Sequence, residues 1–226
     1  MATDSGPRCP GRSPCTERVQ RVSRAALTHI HSRGWELAPS CGALLEDIFH
    51  SMANDGPIET PRLRLVLLQP TSLALLRARD AQAASRVEGF SFSDDFLDTV
   101  NDLFLARNLE GRQKWPSDPG WFVRAIVRKS DGEVLGHCGF HGTPQDVGRA
   151  EIGYTIFAPY RRRGYAAESA QGLVEWARGQ GTSVVFATVA PNNIGSLGVV
   201  HRLGFHQTLP RGPRANYEEF VFELAL

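Results

Sequence analysis

Glu151-Ile152-Gly153-Tyr154-Thr155-Ile156, then the turn Ala158-Pro159-Tyr160, then Arg161-Arg162-Arg163-Gly164-Tyr165-Ala166: this run decides how the 226-residue chain is read. The first block predicts a strand over 150–157. Beyond the turn, Ala166, Ala170, Leu173, Val174 and Ala177 recur at helical spacing, with Glu168, Gln171, Glu175 and Arg178 facing away. That pattern predicts an amphipathic helix from about Gly164 to Arg178, closed by Gly179 and Gly181. The first amides of a helix lack partners and carry partial positive charge, which draws phosphate groups. Gly164 removes the side chain where backbone must approach a ligand, and the three arginines add charge-assisted donors. A helix that simply begins after a basic turn has the same spacing. The commonest nucleotide loops, a P-loop and a GxGxxG between strand and helix, are absent.

Outward from this core, the periodicities continue in both directions. Towards the C-terminus, Ser183–Ala190 is a continuous apolar strand of the buried type, and a short helix Ile194–Leu203 stops at Gly204. Strands near Phe205–Leu209 and Glu218–Leu224 end the chain. Towards the N-terminus, Asp131-Gly132 is a hairpin turn between strands Trp121–Arg128 and Val134–His141. Helices over Ser72–Arg86 and Ser93–Leu109 come before, the second with Ser93 as N-cap and Asp94 and Asp95 in its first turn. Arg62–Leu67 alternates as a half-buried strand does. The order β-α-α-β-β-β-α-β-α-β-β predicts an α/β (α+β) domain, a mixed sheet flanked by helices.

Bulk properties limit the function classes. With 42% hydrophobic and 22% charged residues the chain is globular, and its net charge of +1 argues against a dedicated nucleic-acid or membrane-surface binder. Cys9, Cys15, Cys41 and Cys138 have no zinc spacing, so reduced thiols in the cytoplasm and no metal are expected. No apolar run reaches the ~18 residues of a membrane span, and no secretory apolar core opens the chain. Residues 1–57 are expected to be an extension, partly disordered around Pro7, Pro10, Gly11 and Pro14, with short helices near Glu17–His31 and Ala43–Met52. Residues 58–226 form the domain.

Three landmarks stand in order: Arg161-x-x-Gly164-x-Ala166 after its strand, Asn193-x-x-Ser196, and Leu203-Gly204-Phe205. Together they resemble the GNAT superfamily of N-acetyltransferases, in its RimJ/RimL-like branch. Glu59-Thr60-Pro61-Arg62-Leu63-Arg64-Leu65 is similar to that branch's first strand, and the resemblance covers roughly Ile58 to Leu226. It implies a mostly antiparallel sheet, splayed by a bulge between the fourth and fifth strands (150–157 and 183–190), with acetyl-CoA entering the gap. It also implies that Arg161, Arg162, Arg163, Gly164, Tyr165 and Ala166 hold the coenzyme A pyrophosphate. The edge Thr155-Ile156-Phe157 would pair with the pantetheine arm as an added strand does. Asn193 would hydrogen-bond that arm, and Ser196 would lie near the thioester sulfur.

The implied reaction is attack of a neutral amine on an acetyl carbonyl, with acetyl-CoA and acceptor bound together. An ammonium of pKa about 8 to 10 must lose a proton first, so a base is useful. Glu151 is the first candidate, a salt-bridged edge glutamate being the equal alternative. His141 is its expected cross-strand neighbour, read as a surface histidine, and Glu218 and Glu219 are further carboxylates. Many members place a tyrosine acid where this chain has Val200, so either Ser196 assists the leaving thiolate, as the resemblance implies, or no acid is needed. Phe90, Phe92, Asp94, Asp95, Phe96, Asp98 and Trp115 occupy the region of the acceptor wall; half-buried helix faces explain them better than a cationic-amine site. The acceptor is a protein N-terminus or a small-molecule amine, and the protein a monomer or homodimer. Two rivals remain: a non-catalytic acyl-CoA-binding regulatory module, and a nucleic-acid binder using the arginines.

Met52 lies shortly before the first convincing strand, and translation is expected to begin there naturally. Mass spectrometry of the native N-terminus checks this; peptides from upstream of Met52 would defeat it.

Overall fold

Arg62–Leu67 alternates because one face of its strand is buried. The computed structural model describes residues 56–144, 149–209 and 218–226, all within one unit, Phe49–Leu226. The expected extension and its helices lie outside these described residues. β1 (Ile58–Glu59) pairs antiparallel with β2 (Leu63–Leu67), where Leu63 and Leu65 are fully buried and Arg64 is exposed.

Two helices replace each of the two predicted ones. Ser72–Arg86 becomes α1 (Pro70–Arg77) and α2 (Ala81–Glu88), broken at Arg79, whose φ is +58°. Asp80 ends the continuity by accepting a hydrogen bond from the Ala83 amide at 2.8 Å, so it caps α2 instead of extending α1. Ser93–Leu109 becomes α3 (Asp94–Thr99) and α4 (Asp102–Lys114), separated by extended Val100 and the cap Asn101. Ser93 is at the N-cap of α3, but its side chain makes no capping bond.

After a turn of 3-10 helix, Pro119–Trp121, come β3 (Arg124–Arg128), β4 (Val134–Phe140) and β5 (Ala150–Ile156). α5 (Tyr165–Gly179), β6 (Val184–Val189), α6 (Ile194–Arg202), β7 (His206–Thr208) and β8 (Phe220–Ala225) complete the order. The eight strands stand side by side as β1-β2-β3-β4-β5-β6-β8-β7. Every neighbouring pair is antiparallel except β5–β6, so the sheet is mixed and mostly antiparallel, as expected.

Strand alternation feeds two cores, one on each sheet face. Leu63, Leu65, Ile126, Ile152 and Val185 pack with Leu173 and Val174 of α5. Ala125, Val127 and Phe157 pack with Leu73, Leu76, Phe96 and Leu105 from α1, α3 and α4. No helix among the described residues is long and apolar enough to cross a membrane.

Gly136 sits where β4 meets β5 so closely that a Cβ would lie 1.9 Å from the Thr155 carbonyl oxygen. Gly136→Ala is expected to cost about 1–3 kcal/mol by forcing the strands apart. Thermal or urea unfolding measures this, and an unchanged midpoint would contradict the close approach.

Candidate functional site

β5 and β6 are paired only at Ala150↔Val185 and Glu151↔Phe186, and then part. Peptide groups alternate sides along an antiparallel strand. The His141 amide donates to the Glu151 carbonyl and the Phe157 amide to the Leu135 carbonyl, both at 2.9 Å, so odd-numbered β5 residues face β4. Tyr154 and Ile156 therefore aim their peptide groups into the gap. Of the three residues expected along this edge, Ile156 does so, whereas Thr155 and Phe157 direct theirs to β4. The Phe157 side chain is buried in the core. No bulge produces the splay. The β4–β5 register runs unshifted from Gly136↔Ile156 to Phe140↔Ile152, and the sheet's register shift lies between Ile126 and Val127. The strands separate because their pairing stops.

α5 begins at the mouth of this gap. Its N-cap is Gly164, with φ +82° and no side-chain cap, and Arg162 is also left-handed at φ +61°. Such turns gather backbone amides into an anion-binding concavity. The three arginines divide their work. Arg161 lines the cleft and its Nε donates to the Ile156 carbonyl at 2.9 Å, closing the strand end; Arg162 lines the cleft and the outer side of the loop; Arg163 lines the outer side. The cleft, ≈ 800 Å³, runs from this loop to Tyr154 and Ser196 and is also lined by Tyr165, Ala166 and Asn193.

A network from β2 fixes the loop. Arg62 donates through a terminal nitrogen to the Arg163 carbonyl at 3.1 Å, and its guanidinium lies 4.6 Å from the Tyr165 ring centroid. Its Nε meets Glu168 at 2.6 Å, and Glu168 also receives the Thr60 hydroxyl and the Arg62 amide, each at 2.7 Å. Burial alone would raise the Glu168 carboxyl, but the hydrogen bonds from Thr60 and Arg62 outweigh it and hold it below its usual value. Arg62, Glu168 and Arg202, which lines both sides of the loop, escaped the sequence reading. More than 100 residues separate Arg62 from its partners in the loop and α5, so no local pattern marks them.

α6 closes the far side. The Asn193 side chain caps it, Oδ1 accepting from the Ser196 amide at 3.1 Å. The Tyr154 hydroxyl lies 3.5 Å from the Ser196 carbonyl, and burial raises its pKa. Val200 is fully buried in the core.

A second cleft of ≈ 330 Å³ meets the first at Tyr154, Thr155, Asn193 and Ser196. Its opposite wall comes from Asn101, Phe104 and Asn108, with His137, Gly139 and His141 of the β4 segment. The expected aromatic and acidic stretch is not this wall: Phe92 and Phe96 are core, and Asp94, Asp95 and Asp98 are exposed. Glu218 and Glu219 lie ahead of β8 and line neither cleft. His141 lines it, with Nδ1 3.5 Å from a Glu151 carboxylate oxygen. The imidazole lies over Gly153, where a Cβ would come within 2.6 Å of Nε2. Glu151 itself lines neither cleft, so His141 stands between it and the space.

Comparison with known proteins shows the family and the fold. A family model described as an acetyltransferase (GNAT) domain matches residues 62–206. An uncharacterized N-acetyltransferase of Bacillus subtilis, YjdG, is 31% identical over 174 residues, 73% of this chain and 96% of that protein. An L-methionine sulfoximine/L-methionine sulfone acetyltransferase of Pseudomonas aeruginosa is 31% identical over 43% of this chain and 60% of its own length. Among solved structures, an acetyltransferase from Agrobacterium tumefaciens matches with TM-score 0.53 and 25% identity, over 74% of this chain and 93% of that one. The acetyl-CoA and AMP complex of the microcin C7 self-immunity acetyltransferase MccE shares the fold, with TM-score 0.52 and 15% identity over 78% of this chain and 99% of that one.

A carboxyl held below its unfolded pKa contributes stability above that value and loses it as pH falls through the folded one. The Glu168 network should therefore loosen as pH falls below the ordinary 4.5. Glu168→Gln is expected to be less stable at pH 7 by about 1 kcal/mol, the scale of a partly screened pair, with a flatter acid limb. Thermal unfolding against pH checks it; superimposable curves would contradict the network.

Proposed function

Because the chain belongs to the GNAT acetyltransferase family and is an acyltransferase, we propose that it moves the acetyl group of acetyl-CoA to a primary amine in a ternary complex. The observation that carries this reading is the meeting of two clefts at Tyr154, Thr155, Asn193 and Ser196, one leading to the arginine loop. The loop suits a diphosphate: its helix N-terminus has no side-chain cap, and Gly164 at φ +82° adopts a backbone conformation in which a side chain would be strained. Residues 58–226 are the transferase domain, 1–57 an extension, and the cytoplasm the site of action.

In this reading, the first amides of α5 and Arg162 hold the pyrophosphate, with Gly164, Tyr165 and Ala166 shaping the cradle and Arg163 adding positive charge from the outer side of the loop. Arg161 has a structural task, since it closes the end of β5. The Tyr154 peptide groups and the Ile156 amide receive the pantetheine arm as a strand edge would, and Asn193 offers its amide nitrogen. Coenzyme A supplies the activated acetyl thioester. His141 takes the proton from the attacking amine, and Glu151 fixes the imidazole through Nδ1, leaving Nε2 to accept. Ser196, at the junction, meets the departing thiolate. Resemblance to the RimJ/RimL-like branch favours a protein N-terminus as acceptor, while the Pseudomonas relative's named substrates favour an amino-acid-like amine.

The test is thiol release from acetyl-CoA with a panel of N-terminal peptides and small amines, alongside thermal shift by coenzyme A. Gly164→Glu is expected to abolish the thermal shift, because it adds bulk and negative charge to the cradle. His141→Gln and Glu151→Gln are expected to retain the shift and lose about 10²–10⁴-fold in kcat. Wild-type cofactor affinity in Gly164→Glu would overturn the loop assignment, and full activity in His141→Gln would overturn the proton path.

A further inference from the structure

The smaller cleft has a buried polar group whose hydrogen-bonding capacity the fold leaves open. His137 is 8% exposed, and its Nε2 is buried with no hydrogen-bond partner. Its ring lines the cleft between Phe96 and Phe104, with centroids at 5.8 and 5.2 Å. It stands in register with Thr155, which lines both clefts.

The neighbouring polar groups already have structural tasks. The Asn108 carboxamide accepts from the Val123 amide and donates to the Phe104 carbonyl, each at 2.9 Å, tying α4 to the segment before β3. Asn101 caps α4 by accepting from the Phe104 amide at 2.8 Å. Buried polar atoms in native proteins almost always have partners, and an exception beside a cleft points to a ligand that supplies one. Burial, with His141 nearby, pushes the His137 pKa down to about 4, so near neutral pH the ring is an uncharged donor or acceptor. Among the described residues the cleft wall holds no Asp, Glu, Lys or Arg. A charge on the ligand away from the reacting amine would therefore be desolvated without a counter-ion there.

Resting on the transferase reading above, we propose that His137 is the acceptor-recognition residue. Its Nε2 hydrogen-bonds an uncharged polar group, an amide or hydroxyl, carried beside the amine of a compact molecule or chain terminus. The apolar part of that molecule lies against Phe104. His141, two turns of the pleat along the same strand face, meets the amine itself, so recognition and proton removal are separate tasks.

Ligand-observed NMR titration of the full chain tests this with L-alaninamide, L-serinamide, isopropylamine and L-alanine, in wild type and His137→Leu. The amides should bind wild type at least about tenfold tighter than isopropylamine or alanine, since a site built for a hydrogen bond rejects ligands lacking it. His137→Leu should abolish that preference, leave the coenzyme A thermal shift unchanged and keep its melting temperature, because it removes a partnerless buried polar atom. His137→Gln, which retains a hydrogen-bonding end, should recover part of the preference. Equal binding by wild type and His137→Leu, or no amide binding by wild type, overturns the proposal. Loss of folding in both variants overturns it too, by making His137 structural. Absence of acetyl transfer alongside a His137-dependent preference would remove the transferase reading and leave the recognition site standing.

Discussion

Two adjacent parallel strands remain paired for two residues and then diverge, leaving the Tyr154 peptide groups and the Ile156 amide aimed into the gap, while Arg161 takes the Ile156 carbonyl. Backbone amides and carbonyls are strong hydrogen-bonding groups, so such an edge accepts an extended ligand readily. The remaining site is arranged around this opening. α5 starts at its mouth, α6 at its far wall, and the two clefts join where the strands part. Without the divergence the arginine loop would have no cleft leading from it to Tyr154 and Ser196.

The arginine loop is held in place by ties at both ends. Arg161 anchors it to the last carbonyl of β5, and Arg62 anchors the Arg163 carbonyl to β2. Glu168 holds Arg62 from within the first turn of the same helix. A carboxylate near a helix N-terminus is stabilised by the helix dipole, and here three hydrogen bonds add to that. The amides can stay uncapped because neighbouring atoms fix the backbone. This is preorganisation: the conformational cost of presenting the cradle is met in folding.

Charge is distributed unevenly between the two clefts. Arg62, Arg162, Arg163 and Arg202 surround the loop, whereas the described wall of the smaller cleft carries none of the four ionised residue types. The imidazoles there differ by environment. His137 is enclosed by Phe96 and Phe104, while His141 is half-exposed over Gly153 and next to Glu151. Two histidines four residues apart on one strand thus have different chemistry because one is desolvated and the other has a carboxylate partner.

By itself, the sequence determined the elements and the strand–arginine loop–helix order. The alternation of Arg62–Leu67, the apolar spacing of Ala166–Ala177 and the glycine behind three arginines are local signals, each set by residues within a few positions of one another. Helix ends were less legible: Asp80 and Asn101 cap new helices where apolar spacing alone continued the old ones. Tertiary structure alone decided which β5 peptide groups face the gap, because one residue of register reverses every group, and register comes from pairing with β4. It likewise brought Arg62 to Glu168, His141 over Gly153, and His137 into an aromatic wall. These contacts join segments far apart in the chain, and sequence spacing carries no information about which distant side chains the packing of a sheet brings together.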